Sequence, residues 1–163
     1  MCSSDLAGFV LFCVYGRLRV GDASSINREP TLDVNRETGE GYVEGGMLEH
    51  KTSFRSKSRL RLPVAASAIG VSGCKWAEKW LALRGYQGLN ASSGFLMPEP
   101  GFDGTWSGRR LCTADCTVWL RELLGRLTDL TPERSMSIGS HSLKATMLSW
   151  CGKFGLKIGR AHV

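Results

Sequence analysis

Residues 30–64 read PTLDVNRETGEGYVEGGMLEHKTSFRSKSRLRLPV, and the alternation within this stretch decides the fold class. Leu32 and Val34 alternate with polar neighbours across 30–36, the period of two that marks a strand. Glu37-Thr38-Gly39-Glu40-Gly41 supplies the turn. Residues 42–51 (YVEGGMLEHK) form a second, glycine-interrupted strand, and 52–58 a polar loop. Residues 59–64 (RLRLPV) alternate again, with Leu60 and Leu62 inward. Pro63 there requires a strand end or a sheet edge. The stretch predicts a three-stranded antiparallel meander.

Outward from it the pattern is helical. Residues 7–15 (AGFVLFCVY) make a buried helix that Gly16 ends. This run is shorter than the roughly 20 residues a bilayer span needs. Asp5 rather than a base precedes it, and Gly16-Arg17 follows instead of a cleavage site, so the chain reads as intracellular and not membrane-bound. Residues 19–25 (RVGDASS) begin a short helix. In 75–84 (KWAEKWLALR), Trp76, Trp80 and Leu83 fall at helical spacing, and Gly85 is the expected stop. Residues 88–110 are rich in Gly, Pro and Ser and read as a long loop. Thr113 is the expected N-cap of the next helix, with Asp115 in its first turn. Cys116, Trp119, Leu120, Leu123, Leu124 and Leu127 give that helix one apolar stripe. Residues 131–140 read as loop. Over 142–154, Leu143, Met147, Trp150, Cys151 and Phe154 share a face, and Gly155 is a C′ stop. The fold class is therefore mostly α, with a small three-stranded antiparallel β-sheet near the N-terminal end.

A chain of 163 residues is one domain and long enough for a real core. With 42% hydrophobic and 22% charged residues, a disordered tail, a collagen-like fibre and a coiled coil are excluded. A net charge of +6 points toward nucleic acid or another polyanion. The six cysteines (2, 13, 74, 112, 116 and 151) contain no CxxC, and His50, His141 and His162 are scattered. Buried thiols are expected rather than disulfides or a zinc site, and no metal or cofactor is implied. Both termini read as foreign. Residues 158–163 (IGRAHV) match the translation of a common sequencing-library adapter, and 2–6 (CSSDL) match its reverse complement. Residues 1–6 and 158–163 are thus expected to be adapter-derived, with the fold in 7–157.

Three features carry charge in a pattern that chemistry can use. Between His50 and Arg61 lie Lys51, Arg55, Lys57 and Arg59 with no acid, so the tract holds five bases with Arg61. On a hairpin this is a basic finger for a phosphate backbone. Its bland alternative is a solvated edge protected by charge. Ser140-His141-Ser142-Leu143-Lys144 opens a helix, and His141 and Lys144, three apart, share a face that suits one phosphate. The alternative is a capping His and a Lys facing water. Arg17-Leu18-Arg19 follows the first helix, with Asp22 after it. Arg19 serves either as a phosphate clamp or as an ion-pair partner of Asp22. The sequence has no P-loop, GxGxxG, HExxH, GxSxG or paired-carboxylate nuclease arrangement.

Taken in order, these features resemble the catalytic domain of the tyrosine recombinase (phage integrase) family. Gly16-Arg17-Leu18-Arg19-Val20-Gly21-Asp22 is similar to the family's GLRxSE pattern, with Arg19 at the Arg and Asp22 at the acid. Lys51-Thr52, followed by Arg59-Leu60-Arg61-Leu62-Pro63-Val64, resembles its hairpin lysine in a KT…RxxPL context. His141-Ser142-Leu143-Lys144-Ala145-Thr146 matches HxLRHT in four of six places. The resemblance spans 7–157.

The resemblance implies DNA strand breaking and rejoining, as in site-specific recombination and integration of a mobile element, without metal or cofactor. Arg19, His141 and Lys144 would stabilise charge on the phosphoryl oxygens. Lys51 would protonate the leaving 5′ oxygen. Arg55, Lys57, Arg59 and Arg61 would bind DNA. The implied partner is double-stranded DNA, with a homo-oligomer on it allowed, and the implied location is with DNA in nucleus or nucleoid. Two departures matter. Lys144 stands where the family has an Arg, which forfeits the bidentate fork. The family's nucleophilic Tyr lies beyond the HxxR box, whereas Tyr15, Tyr42 and Tyr86 all precede it here. No nucleophile is assigned, and the expectation is a partial catalytic domain that does not cleave. The alternatives are a non-catalytic basic nucleic-acid-binding module and an α-rich interaction protein.

Overall fold

The computed structural model describes residues 3–47, 62–91, 94–101 and 105–155. It is mixed α/β. In chain order it has α1 (Ser3–Tyr15), α2 (Val20–Ser24), β1 (Thr31–Val34), β2 (Gly41–Met47), β3 (Leu62–Ser67) and α3 (Trp76–Tyr86). Then come β4 (Pro98–Pro100), β5 (Trp106–Arg110), α4 (Thr113–Leu127), α5 (Pro132–Ser137) and α6 (His141–Lys153). No helix among the described residues is long and apolar enough to cross a membrane.

The expected meander is present as the antiparallel sheet β1-β2-β3. Val43 pairs with Ala66 and Gly45 with Val64. This register turns Val43, Met47, Val64 and Ala66 into the core and leaves Tyr42 and Glu44 to solvent. The third strand runs on to Ser67, past the Val64 at which the sequence ends it. Leu62, expected inward, is 44% exposed at the strand's start. Leu60 lies outside the described residues. Pro63 sits on an edge strand of this sheet, as the sequence requires.

Helix α1 is the centre of the core, with Leu6, Phe9, Phe12 and Cys13 buried. It packs on α3 and α6. A Cβ at Gly8 would sit 2.1 Å from Trp80 Cδ1, so glycine is what lets the two helices approach. Phe12 and Trp80 meet at 5.5 Å, and Tyr15 stacks on Trp76 at 5.8 Å. Asp5 and Leu6 belong to this helix and are buried.

Helix α3 does not stop at Gly85. It runs to Tyr86 and closes at Gly88, whose φ is +68°. Leu89 N–H donates to the Arg84 carbonyl and Gly88 N–H to that of Gly85, the double closure of a Schellman motif. Its buried face carries Arg84 rather than Leu83, which is only half-buried. Arg84 Nε donates to Glu29 Oε1 at 2.6 Å, and Nη1 to the Leu96 carbonyl at 2.7 Å. Glu29 Oε2 also accepts from Ala91 N–H at 2.7 Å. One buried arginine thus ties α3 to the segments before β1 and β4.

Other expectations need correction. The region 88–110 is not all loop: β4 and β5 pair antiparallel across it. Its apolar anchors Ala91, Leu96 and Met97 are buried. The N-cap of α4 is Cys112, not Thr113, and its Sγ accepts from Asp115 N–H. The region 131–140 contains α5, capped by Thr131 with Pro132 in the first turn. Leu127 and Phe154, expected on buried stripes, are exposed because each lies at a helix end beyond the core. Helix α6 does end with Gly155 at positive φ.

Candidate phosphate-binding cleft

Two local structures bring distant cations together. The first is the turn after α1. Leu18 N–H donates to the Cys13 carbonyl at 2.8 Å, and Arg17 N–H to that of Val14 at 3.2 Å. Arg17 takes the left-handed conformation (φ 54°) that this closure demands. Leu18 and Val20 are then buried on either side of Arg19. Alternation leaves the Arg19 side chain exposed, at the N-cap of α2.

The second is the start of α6. Ser140 is the N-cap residue and is buried. Its N–H donates to Thr117 Oγ1 at 3.2 Å, and its Oγ to the Thr113 carbonyl at 3.4 Å. Arg121 of α4 donates to the carbonyls of Ile138 (Nε, 2.8 Å) and Met136 (Nη2, 2.7 Å). Leu143 is buried and fixes the rotation of the helix. His141 and Lys144 are consequently on the exposed side. The alternative of a capping His does not hold: Ser140 is at that position, and His141 is the first helical residue.

Arg19, His141 and Lys144 line one cleft of about 390 Å³. Thr113, Ser140 and Leu148 complete much of its wall. The ion pair weighed for Arg19 and Asp22 is absent: among the described residues, none of the three basic side chains has an acidic partner. Asp22 also lines the cleft and offsets part of the positive charge. The first turns of α4 and α6 border it with Thr113 and His141, and their dipoles add to a field that favours anions. A tetrahedral oxyanion matches this arrangement. Arg19 offers a planar fork and Lys144 a point charge.

Lys51, Arg55, Lys57, Arg59 and Arg61 lie outside the described residues. Met47 and Leu62, the described residues nearest them in sequence, line a second hollow that shares Arg19 and Lys144 with the cleft. None of the three tyrosines lines the cleft. Tyr15 is stacked on Trp76, and its hydroxyl accepts from Val71 N–H at 3.0 Å. Tyr42 and Tyr86 are exposed on β2 and at the end of α3.

Thr117 and Arg121 are positioning residues of which the sequence carries no sign. Arg121 grips backbone carbonyls, which leave no residue-type signature. Among the described residues no group of three or more His, Cys, Asp or Glu side chains is placed to hold a metal ion. Cys13 and Cys116 are buried free thiols, and burial pushes Cys116 up to about 12. Compared with known proteins, the chain matches no family model and no curated protein.

Proposed function

We propose that this chain binds the phosphodiester backbone of double-stranded DNA in the cleft, as a tyrosine-recombinase-like catalytic domain that clamps a phosphate without supplying a nucleophile. The observation that carries the reading is the convergence of Arg19, His141 and Lys144, distant in sequence, on one cleft without acidic partners among the described residues. Arg19 pairs with two phosphoryl oxygens through its fork. Lys144 contributes charge and one donor. His141 donates a hydrogen bond from a ring nitrogen. In a recombinase these groups would stabilise charge on the phosphoryl oxygens as an attacking hydroxyl adds and the 5′ oxygen leaves. Lys51, by the family resemblance, would deliver the proton to that oxygen. The net charge of +6 supports the same class of partner.

The test is duplex DNA binding across salt. Each phosphate contact contributes about 0.9 to the slope of log K against log salt. Arg19→Gln and Lys144→Gln should each reduce the slope by about one contact. Absence of binding at low salt overturns the proposal. Equal loss with single-stranded RNA and heparin would favour a general basic module over a recombinase-like site.

A further inference from the structure

Resting on that reading, we infer that Arg17 holds a second phosphate, the neighbour on the same DNA strand of the one bound by Arg19 and Lys144. A second hollow of about 400 Å³ opens beside the cleft. Arg19, Asp22, Lys144 and Leu148 line both, so the two form one continuous track. Of these two, Arg17 lines the second hollow and not the cleft. It is exposed, and among the described residues its guanidinium has neither an ion pair nor a hydrogen bond. The track therefore carries an unpaired arginine beyond the three groups of the cleft.

The backbone at Arg17 gives an independent reason. It is the one non-glycine residue at positive φ among the described residues. The position is C′ of α1, where glycine is favoured because it has no Cβ to clash. An arginine here sacrifices stability, and strain of this kind collects at binding sites. Two residues of chain span at most about 7 Å, the scale that separates neighbouring phosphates on a strand. That backbone spacing lets Arg17 and Arg19 reach two consecutive phosphates.

Arg17→Gly separates binding from folding. It deletes the cation and relieves the positive φ, so the melting temperature should rise. The full chain is titrated with a labelled DNA duplex between about 50 and 200 mM salt. The salt slope of Arg17→Gly should shrink by about 0.9, and its low-salt affinity should fall about tenfold despite the gain in stability. Arg17→Lys should restore the slope. Inorganic phosphate, followed by NMR at His141, should reach the cleft of Arg17→Gly as it reaches that of the wild type, and the cleft of Arg19→Gln more weakly. If the wild type binds DNA and Arg17→Gly keeps its slope, the second contact is overturned while the DNA reading stands. If both variants lose inorganic phosphate equally, the two arginines share one phosphate and the track is overturned. If the wild type binds no DNA at low salt, the cleft reading falls and takes this inference with it.

Discussion

Arg84 Nη1 lies 3.4 Å from Asp5 Oδ1, and neither side chain has any exposed surface. Trp80 Nε1 donates to the same carboxylate oxygen at 2.8 Å. Glu29 is the second acid on the guanidinium, with its Oε1 2.6 Å from Nε. Removing Arg84 would leave two acids at a largely buried site without their cation. Arg84→Ala should therefore cost about 3–5 kcal/mol, read as a lowered denaturation midpoint with an unchanged m-value. A loss under about 1 kcal/mol would mean that water reaches the site.

The pH dependence of this cluster has a definite sign. Burial holds the Asp5 carboxyl above its ordinary 3.8, outweighing the Arg84 guanidinium, which pulls it down. A carboxyl with a raised folded pKa binds protons more tightly in the folded chain. Its contribution is complete below 3.8 and is lost as pH rises through the raised value. Asp5→Asn abolishes that term. The stability gap between wild type and Asp5→Asn should be widest near about pH 4 and narrow toward neutrality. A gap that widens with pH shows that the guanidinium outweighs burial.

Gly8 tests the α1–α3 contact without touching charge. An added methyl would overlap the Trp80 ring at 2.1 Å, and the ring is itself buried. Gly8→Ala gains helix propensity of up to about 1 kcal/mol, yet overpacking should win. The expected net loss is about 1–3 kcal/mol by thermal melting. A stabilised Gly8→Ala would show that Trp80 moves freely.

These contacts show where sequence reading succeeds and where it stops. The sheet was legible because Leu32 and Val34, and then Leu60 and Leu62, alternate with polar residues, although the third strand turns Val64 and Ala66 into the core instead. Strands β4 and β5 were not, since PEP and WSGRR carry no apolar alternation and two prolines argue against a ladder. Helix α5 is six residues long, too short for a period to appear, although Thr131-Pro132-Glu133 is a start signal. The burial of Arg84 was invisible because its partners Asp5 and Glu29 are far away in the chain. Arg19, His141 and Lys144 stood out by residue type and motif order. The Ser140–Thr117 and Arg121–Ile138 bonds that position two of them are set by tertiary packing alone.

Arg121 should affect ligand binding without touching the ligand. Its two bonds hold the backbone that leads into His141. Arg121→Ala leaves the Met136 and Ile138 carbonyls without these donors and loosens the start of α6. Low-salt DNA affinity should fall several-fold, with the salt slope unchanged because no phosphate contact is lost. A reduced slope would place Arg121 on the DNA instead.

The cysteines offer a check on the packing around the cleft. Cys112 and Cys74 are exposed, whereas Cys13 and Cys116 are buried. Desolvation lifts Cys13 well above the ordinary thiol value and Cys116 to about 12. Thiolate is the reactive form, so neither buried thiol should alkylate near pH 8 in the folded chain. Mass spectrometry after a brief iodoacetamide pulse should find Cys74 and Cys112 modified first. Labelling of Cys116 at a comparable rate would mean that α4 lifts from α1 under native conditions.

The positions of the tyrosines bear on strand cleavage. Phosphotyrosine formation needs a phenol oxygen in line with the phosphorus, at near-attack distance. The Tyr15 hydroxyl is occupied by Val71 N–H, and its ring is stacked on Trp76. Tyr42 and Tyr86 sit on other elements, and neither lines the cleft. A duplex carrying a nick that traps covalent intermediates should therefore bind but yield no adduct with this chain. Denaturing gel electrophoresis with labelled DNA reads this directly. Adding free phenol or peroxide as a surrogate nucleophile should produce strand scission if Arg19, His141 and Lys144 still stabilise the transition state. Scission lost in Arg19→Gln would tie it to the cleft. An adduct on Tyr15, Tyr42 or Tyr86 would refute the absence of a nucleophile and require a rearrangement of α1, β2 or α3.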